Sequence, residues 1–461
     1  MRGLFRSALF VFLTFTLFSC QDYKYRDMEL YPIEENGLYG FVDSLGCKIV
    51  FPQYLSVSNF VNHLAAVVVD TSYEYRADST RHKLGLAYAK EVIKERYLAI
   101  KYGYINIEND FVIEPCLVRR FRVGSDEIVN SSLFNDWVNR LAFSEGLAAY
   151  QDSITYKYGF IDTLGHIQIP AKYYNYQNFS SGKAAVQLFK CNEGEMLSDA
   201  CFKWGYIDPQ GQKKSEFIYY HLTSCVNGRS FGTILSTSKE QDPVMIVHHN
   251  EEGELEYEER HFDQSMPRQE MVTVLLDEHG KIIKSDLASM YFYYDFSEDG
   301  IAVAERKGSE LFGFDFIFLD KGGNKLKPRE VRNKHPYFID ILPENPHFEG
   351  VTAMNEGFAG VKAPDGTWHF IDKNLNLYAP VNNTPYEAVK PFINGLAPVC
   401  QNGKWGCIDK DFNVVIPFKY AWISAAGKHL IRVVQVDEDS HVVIESLINR
   451  RDSIIWQRVN F

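Results

Sequence analysis

The chain carries no block of positive charge. Lys and Arg total 48 against 60 Asp and Glu, a formal net charge of −12. Such a surface repels phosphate backbones, so nucleic acid is not an expected partner. No apolar run reaches the roughly 20 residues that a membrane-spanning helix needs. The short motifs of common chemistries are missing too: no G-x-S-x-G elbow, no P-loop, no H-E-x-x-H pair and no dinucleotide fingerprint. His248, His249, Glu251, Glu252 and Glu254 cluster, but Asn250 and Gly253 mark a turn tip, where charged residues are solvated. The alternating ligands of a calcium loop are also missing. Neither a metal nor a cofactor is expected.

What is present is aromatic. Phe (33) and Tyr (28) dominate a 15% aromatic share, and 46% of the chain is apolar. Flat rings pack well on a pleated surface, which favours strands, and the apolar content is that of a globular chain. At the N-terminus Arg2 and Arg6 precede an apolar stretch from Ser7 to Phe18. It is too short to span a bilayer and has the length of a signal-peptide core. Leu17-Phe18-Ser19-Cys20 resembles a bacterial lipobox, with Phe18 in place of the usual small residue. The resemblance implies cleavage after residue 19, lipidation of Cys20, and a bacterial cell-envelope location at the periplasmic face or the cell surface. The expected organisation is a signal peptide over 1–19, a lipidated tether over 20–35 and a β domain over 36–461.

One pattern recurs along that domain: aromatic, Gly, aromatic, aliphatic, Asp, a turn, then an aliphatic strand that often ends in Pro. It reads Tyr39-Gly40-Phe41-Val42-Asp43 to Pro52, Tyr102-Gly103-Tyr104-Ile105-Asn106 to Pro115, and Tyr158-Gly159-Phe160-Ile161-Asp162 to Pro170. It returns at Trp204-Gly205-Tyr206-Ile207-Asp208, Trp368-His369-Phe370-Ile371-Asp372 and Trp405-Gly406-Cys407-Ile408-Asp409, with weaker copies near Phe312 and Leu275. A second element, Phe-x-x-Gly followed by small and aliphatic residues, alternates with it. Examples begin at Phe143, Phe179 and Phe392. Together these resemble the WG-repeat (KWG-repeat) family of bacterial lipoproteins, over about residues 36–433. The resemblance implies a repeat architecture but no settled activity.

Alternation along a strand puts Trp204 and Tyr206 on one face and Gly205 and Ile207 on the other. Neither face is polar, so the strand is buried on both sides, which needs stacked or radially arranged sheets. The Gly leaves room for a neighbouring sheet. Asp43 to Gly46 and Asp162 to Gly165 read as turns in which Asp caps its own backbone and Gly supplies positive φ. Asn402-Gly403 reads as a hairpin tip. Eight hairpin units are legible, and the C-terminal strands Leu430–Val436 and 442–447 look like partners for a first unit that lacks its own leading strand. The expectation is an all-β chain of antiparallel hairpins forming a seven- or eight-bladed β-propeller, with an open β-solenoid-like array as the alternative. Insertions interrupt the period, with a short helix expected over Leu84–Tyr97.

Repeat scaffolds often place function in insertions. Trp137, Tyr337 and Phe338 stand there without a role in the repeat, and exposed aromatics of this kind serve as binding anchors. Cys191 and Cys201 bracket an inserted loop and are expected to form a disulfide, which export permits. No catalytic residue is legible. The expected function is an envelope scaffold that binds a protein, peptide or glycan, with the membrane reached through the lipid anchor. The alternative is a glycosidase-like hydrolase with paired carboxylates on one face of the array.

Overall fold

The computed structural model describes residues 29–77, 94–123, 131–190, 201–238, 244–249, 255–261, 268–285, 287, 290–294, 296–307, 314–326, 338–341, 348–425, 428–437 and 442–460. Among them the elements are strands, apart from one helix, Ser131–Asn139, and one short 3-10 turn, Val381–Asn383. Among the described residues, nine antiparallel sheets of three to five strands follow one another along the chain, and a two-stranded hairpin, Val244–His249 with Leu255–His261, falls between two strands of the fifth in sequence. Numbered in chain order, the sheets span 31–54, 56–123, 147–173, 175–207, 221–284, 290–319, 338–378, 388–420 and 422–460.

In most sheets the aromatic-Gly strand lies inside; in the fourth, Phe202–Ile207 is the outer strand, flanked on its far side by isolated bridges. Tyr158–Asp162 pairs with Leu147–Gln151 on one side and Ile167–Tyr173 on the other. Its two apolar faces go to different neighbours. In the fourth sheet Trp204 and Tyr206 pack with Leu222, Val274 and Leu276 of the fifth, while Ile207 packs with Ala149 and Phe160 of the third. Every sheet repeats this arrangement. Apolar clusters join sheets 1 and 2 through Phe41 and Val67, 2 and 3 through Tyr104 and Ala148, and so on to 8 and 9 through Ile416 and Val433. A ninth cluster joins the last sheet to the first: Leu430, Leu447 and Trp456 against Tyr31, Ile33 and Val42. Nine sheets joined by nine cyclic contacts make a closed ring, the architecture of a β-propeller, rather than an open array.

The ring differs from expectation in its count and in how it closes. The ninth sheet, Trp422–Ala425 through Ile454–Asn460, is complete in itself and carries no aromatic-Gly signature. A count made on that signature therefore stops at eight. The first sheet recruits Tyr31–Glu35, which pairs with Leu38–Val42, so the folded domain starts inside the stretch 20–35 read as tether. Tyr31 and Ile33 alternate inward and are each 1% exposed, which is why this polar-looking segment folds. Among the described residues no sheet contains strands from both ends of the chain, and the first and last sheets meet through side chains.

The expected helix over Leu84–Tyr97 lies partly outside the described residues, and 94–97 belong to the long strand Lys94–Ile105. Residues 71–77 and 94–100 thus lengthen a hairpin rather than forming a separate insertion. The described helix, Ser131–Asn139, stands ahead of the third sheet. Phe134, Trp137, Val138 and Leu141 share one side at i, i+3, i+4 and i+7 and pack between sheets 2 and 3.

The two recurrent turns have distinct jobs. In the Asp-x-x-Gly turn, Asp162 Oδ1 accepts the N–H groups of Leu164 and His166, both at 2.9 Å. The Phe-x-x-Gly element is a tight reversal in which Ser144 and Leu147 exchange two main-chain bonds, with positive φ at Glu145 and Gly146. It also ties successive sheets. Ser144 Oγ donates to the carbonyl of Phe179 at 2.6 Å, and Glu145 accepts the Gly182 N–H at 2.9 Å. Ser180 repeats the first bond to Cys225, and Glu356 repeats the second to Gly395.

Candidate functional site

Among the described residues, five of the sheets open with a short edge strand eight or nine residues ahead of their second strand, as Ser56 precedes Ala65 and Ala388 precedes Leu396, and in the seventh Gly350 stands in the same relation to Phe358. In the first sheet no described strand takes that place. A cavity of about 540 Å³ lies beside its outer strand, Tyr31–Glu35. Val57 and Asn59 of sheet 2 bound it on one side, Trp422 and Ser424 of sheet 9 on the other, and the free edge of Tyr31–Glu35 at the back.

Four charged side chains cross this seam. Arg458 gives one Nη to Glu34 at 2.6 Å and the other to Glu445 at 2.7 Å. Arg432 pairs with the second oxygen of Glu445 and donates to the Pro32 carbonyl at 2.7 Å. Burial works against the Arg458 charge, but the bond from Glu34 and the charge of Glu445 outweigh it and push its pKa up. The Arg458 Nε is buried and has no partner among the described residues. Valine and charge share one face here for a simple reason: Trp422, Val434, Glu445 and Arg458 are successive cross-strand neighbours.

The helix supplies the third wall. Its polar side carries Asn135, Asp136 and Asn139 into the cavity lining. Asn135 accepts from Ser56 Oγ at 2.7 Å and donates to the Tyr39 hydroxyl at 3.0 Å, and Asn139 accepts the Asn59 N–H at 3.1 Å. Burial raises the Tyr39 pKa; the Asn135 bond opposes this and Glu34 adds to it. Trp422 is 40% exposed, and the ammonium of Lys390 lies 4.1 Å from its ring centroid. Burial lowers the Lys390 pKa.

The residues singled out from sequence do not assemble this site. Trp137 is not an exposed anchor: it is 9% exposed and stacks on Phe121 with centroids 4.5 Å apart. An insertion that folds as an amphipathic helix buries its largest ring against the scaffold. Tyr337 lies outside the described residues; Phe338 begins the edge strand Phe338–Ile341, and its side chain lies outside them. Cys201 is buried and disulfide-bonded, while Cys191, its expected partner, lies outside the described residues. Cys20 lies outside them as well, as do the side chains of the His248–Glu254 cluster. Among the described residues no group of His, Cys, Asp or Glu converges as metal ligands would, and no helix is long and apolar enough to cross a membrane.

Sequence reasoning missed Glu34, Arg432, Glu445 and Arg458. One signal was available: Arg432 interrupts the apolar run Leu430–Val434 within the strand Leu430–Val436.

The ring of sheets defines a β-propeller. The family described as WG containing repeat matches residues 158–188, 386–405 and 405–426, so the chain carries WG repeats, consistent with a WG-repeat family. No curated protein sequence matches it. Among solved structures it is similar to the β-propeller domain of the Trilobed protease from Pyrococcus furiosus, described as having an open velcro topology. Identity is 10%, coverage is 89% of this chain and 94% of that one, and the TM-score is 0.27. A quinonprotein alcohol dehydrogenase-like protein from Bacteroides thetaiotaomicron matches at 10% identity over 93% and 96%, with a TM-score of 0.25. The C-terminal WD40 domain of Sif2 matches at 8% over 69% and 70%, with a TM-score of 0.26. The fold assignment rests on the cyclic packing described above rather than on these scores.

Proposed function

We propose that this protein is a cell-envelope lipoprotein, anchored through Cys20, whose WG-repeat ring is a binding scaffold for an envelope protein, peptide or glycan captured at the seam between the ninth and first sheets. The observation that carries the reading is the cavity of about 540 Å³ at that seam, walled by polar side chains and a half-exposed Trp422. Concave sites with a few convergent polar groups are where ligands bind. The two carboxylates that converge there, Glu34 and Glu445, are both engaged by Arg458. Ion-paired carboxylates are poor proton donors, so their geometry favours holding a ligand over hydrolysing one.

The test has two arms. Cys20→Ala should abolish acyl labelling and move the protein out of the membrane fraction; continued partition into detergent would overturn the anchor. A soluble form, residues 21–461, should capture a partner from envelope extracts, and the double variant Asp136→Ala, Trp422→Ala should lose it while melting as the parent does. Equal capture by both would overturn the seam as the binding site.

A further inference from the structure

The seam cavity also carries information about the chemistry of its ligand. We infer that it takes an uncharged carbohydrate, with a pyranose ring seated on Trp422 and its hydroxyls met by the polar walls. This rests on the cavity being the binding site proposed above, and it adds the ligand class.

Three observations lead there. The first is the platform. Lys390 covers one face of the Trp422 indole at 4.1 Å and is itself held by the Ile423 carbonyl at 2.6 Å, so the ring is fixed from behind. Its remaining surface lines the cavity and leaves the residue 40% exposed. A large, fixed apolar ring in a polar cavity suits a ligand with one apolar face and a polar rim, as a pyranose has in its axial C–H groups and equatorial hydroxyls.

The second is charge. The lining holds Glu34, Asp136 and Glu445 against Arg432 and Arg458, and four of the five are already bonded to one another. Only one carboxylate is left over. An anionic ligand would meet no spare cation, and a cation would meet a single exposed partner. Hydroxyls, which donate and accept alike, can bond to ion-paired carboxylates and guanidiniums and to Asn59 without breaking the pairs.

The third excludes the obvious rival, a peptide adding a strand to the free edge of Tyr31–Glu35. Strand addition needs a free row of main-chain donors and acceptors. Here Pro32 has no N–H, and its carbonyl is taken by Arg432. The edge is blocked at its second residue, as natural sheet edges commonly are blocked by Pro.

The experiment titrates the soluble form, residues 21–461, by calorimetry with maltotriose, cellotriose, chitotriose and trigalacturonic acid. At least one uncharged trisaccharide should bind, with trigalacturonic acid weaker. Trp422→Ala should weaken that binding by about tenfold and Trp422→Tyr should largely retain it, as expected for loss and replacement of one ring contact. Thermal melts of each variant separate loss of fold from loss of site. Binding that ignores Trp422→Ala overturns the inference, as does preference for the acidic sugar. If no trisaccharide binds while cavity-dependent capture of an envelope protein persists, the scaffold reading stands and the carbohydrate assignment falls. If sugar binds only to a chain lacking residues 21–28, the cavity belongs to the chain's own leader and the inference fails.

Discussion

The carbonyl oxygen of Ile113 lies against the Cα of Gly103, so that a Cβ at Gly103 would stand 2.5 Å from it. The cause is a shift in register. Tyr102 pairs with Leu117, but Tyr104 pairs with Ile113, so the outer strand bulges by two residues around Pro115 and arches over the Gly. Gly406 has the same relation to Ile416, at 2.6 Å, with the bulge around Pro417. The Gly and the Pro of the repeat are two halves of one device within a single sheet, not a space for a neighbouring sheet. Gly103→Ala should therefore cost about 1–3 kcal/mol by overpacking. His369, which stands in the Gly slot of the seventh sheet, meets a strand of only three residues, Asn376–Tyr378, paired with Phe370 and Ile371 without that bulge. Urea melts that find Gly103→Ala neutral would contradict the coupling.

The burial of Trp137 and Trp204 makes both structural. Replacing either by Ala should destabilise the ring by about 3–5 kcal/mol, the usual cost of deleting a packed aromatic. Trp137→Ala should also disturb the cavity wall, since the same helix positions Asn135 and Asn139. Thermal melting decides: a Trp137→Ala protein that melts with its parent would return this residue to the list of surface anchors.

Closure of the ring without a shared strand makes the ninth seam sensitive to its charges. Arg458→Met should cost about 1–3 kcal/mol, the range for hydrogen bonds to charged groups, at the lower end because the partners remain 16–25% exposed. A double-mutant cycle with Glu34→Gln should show coupling, and high salt should shrink it. Independent, additive effects would mean that the apolar cluster around Trp456 closes the ring by itself.

Acid should open the turns and the turn-to-turn ties. Burial tends to raise the Asp208 and Glu356 carboxyls, but main-chain N–H donors with Lys214 and Lys410 outweigh it and hold both pKa values low. A depressed folded pKa contributes stability that is complete above the unfolded values, 3.8 for Asp and 4.5 for Glu, and is lost as pH falls through the folded value. His369 acts in the same direction from a higher start, because burial lowers its pKa below 6.5 and the unfolded chain takes up the proton first. The melting temperature should fall gently below pH 6.5 and steeply below about pH 4.5. His369→Gln should remove the first phase alone.

The disulfide of Cys201 should be found with Cys191 in non-reduced peptide maps, and its reduction should cost roughly 2–3 kcal/mol for so short a loop. Cys191 alkylated without reduction would assign the bond elsewhere.

The sequence by itself determined the strands, their turns and their burial on two faces. These are local matters: alternation, an Asp that caps its own backbone, a Gly with positive φ, all repeated often enough to be read in register. It did not determine the number of sheets, because Trp422–Asn460 builds the same sheet from plain aliphatic alternation with no marker to count. Nor could it show that Tyr31–Glu35 belongs to the ring, since two inward side chains make a strand only when a neighbour is there to bury them. The seam site was decided by tertiary structure alone. Glu34 and Arg458 are separated by nearly the whole chain and meet only because the last sheet packs on the first. Each looks like an ordinary surface charge until ring closure takes both partly out of water and sets them around one cavity.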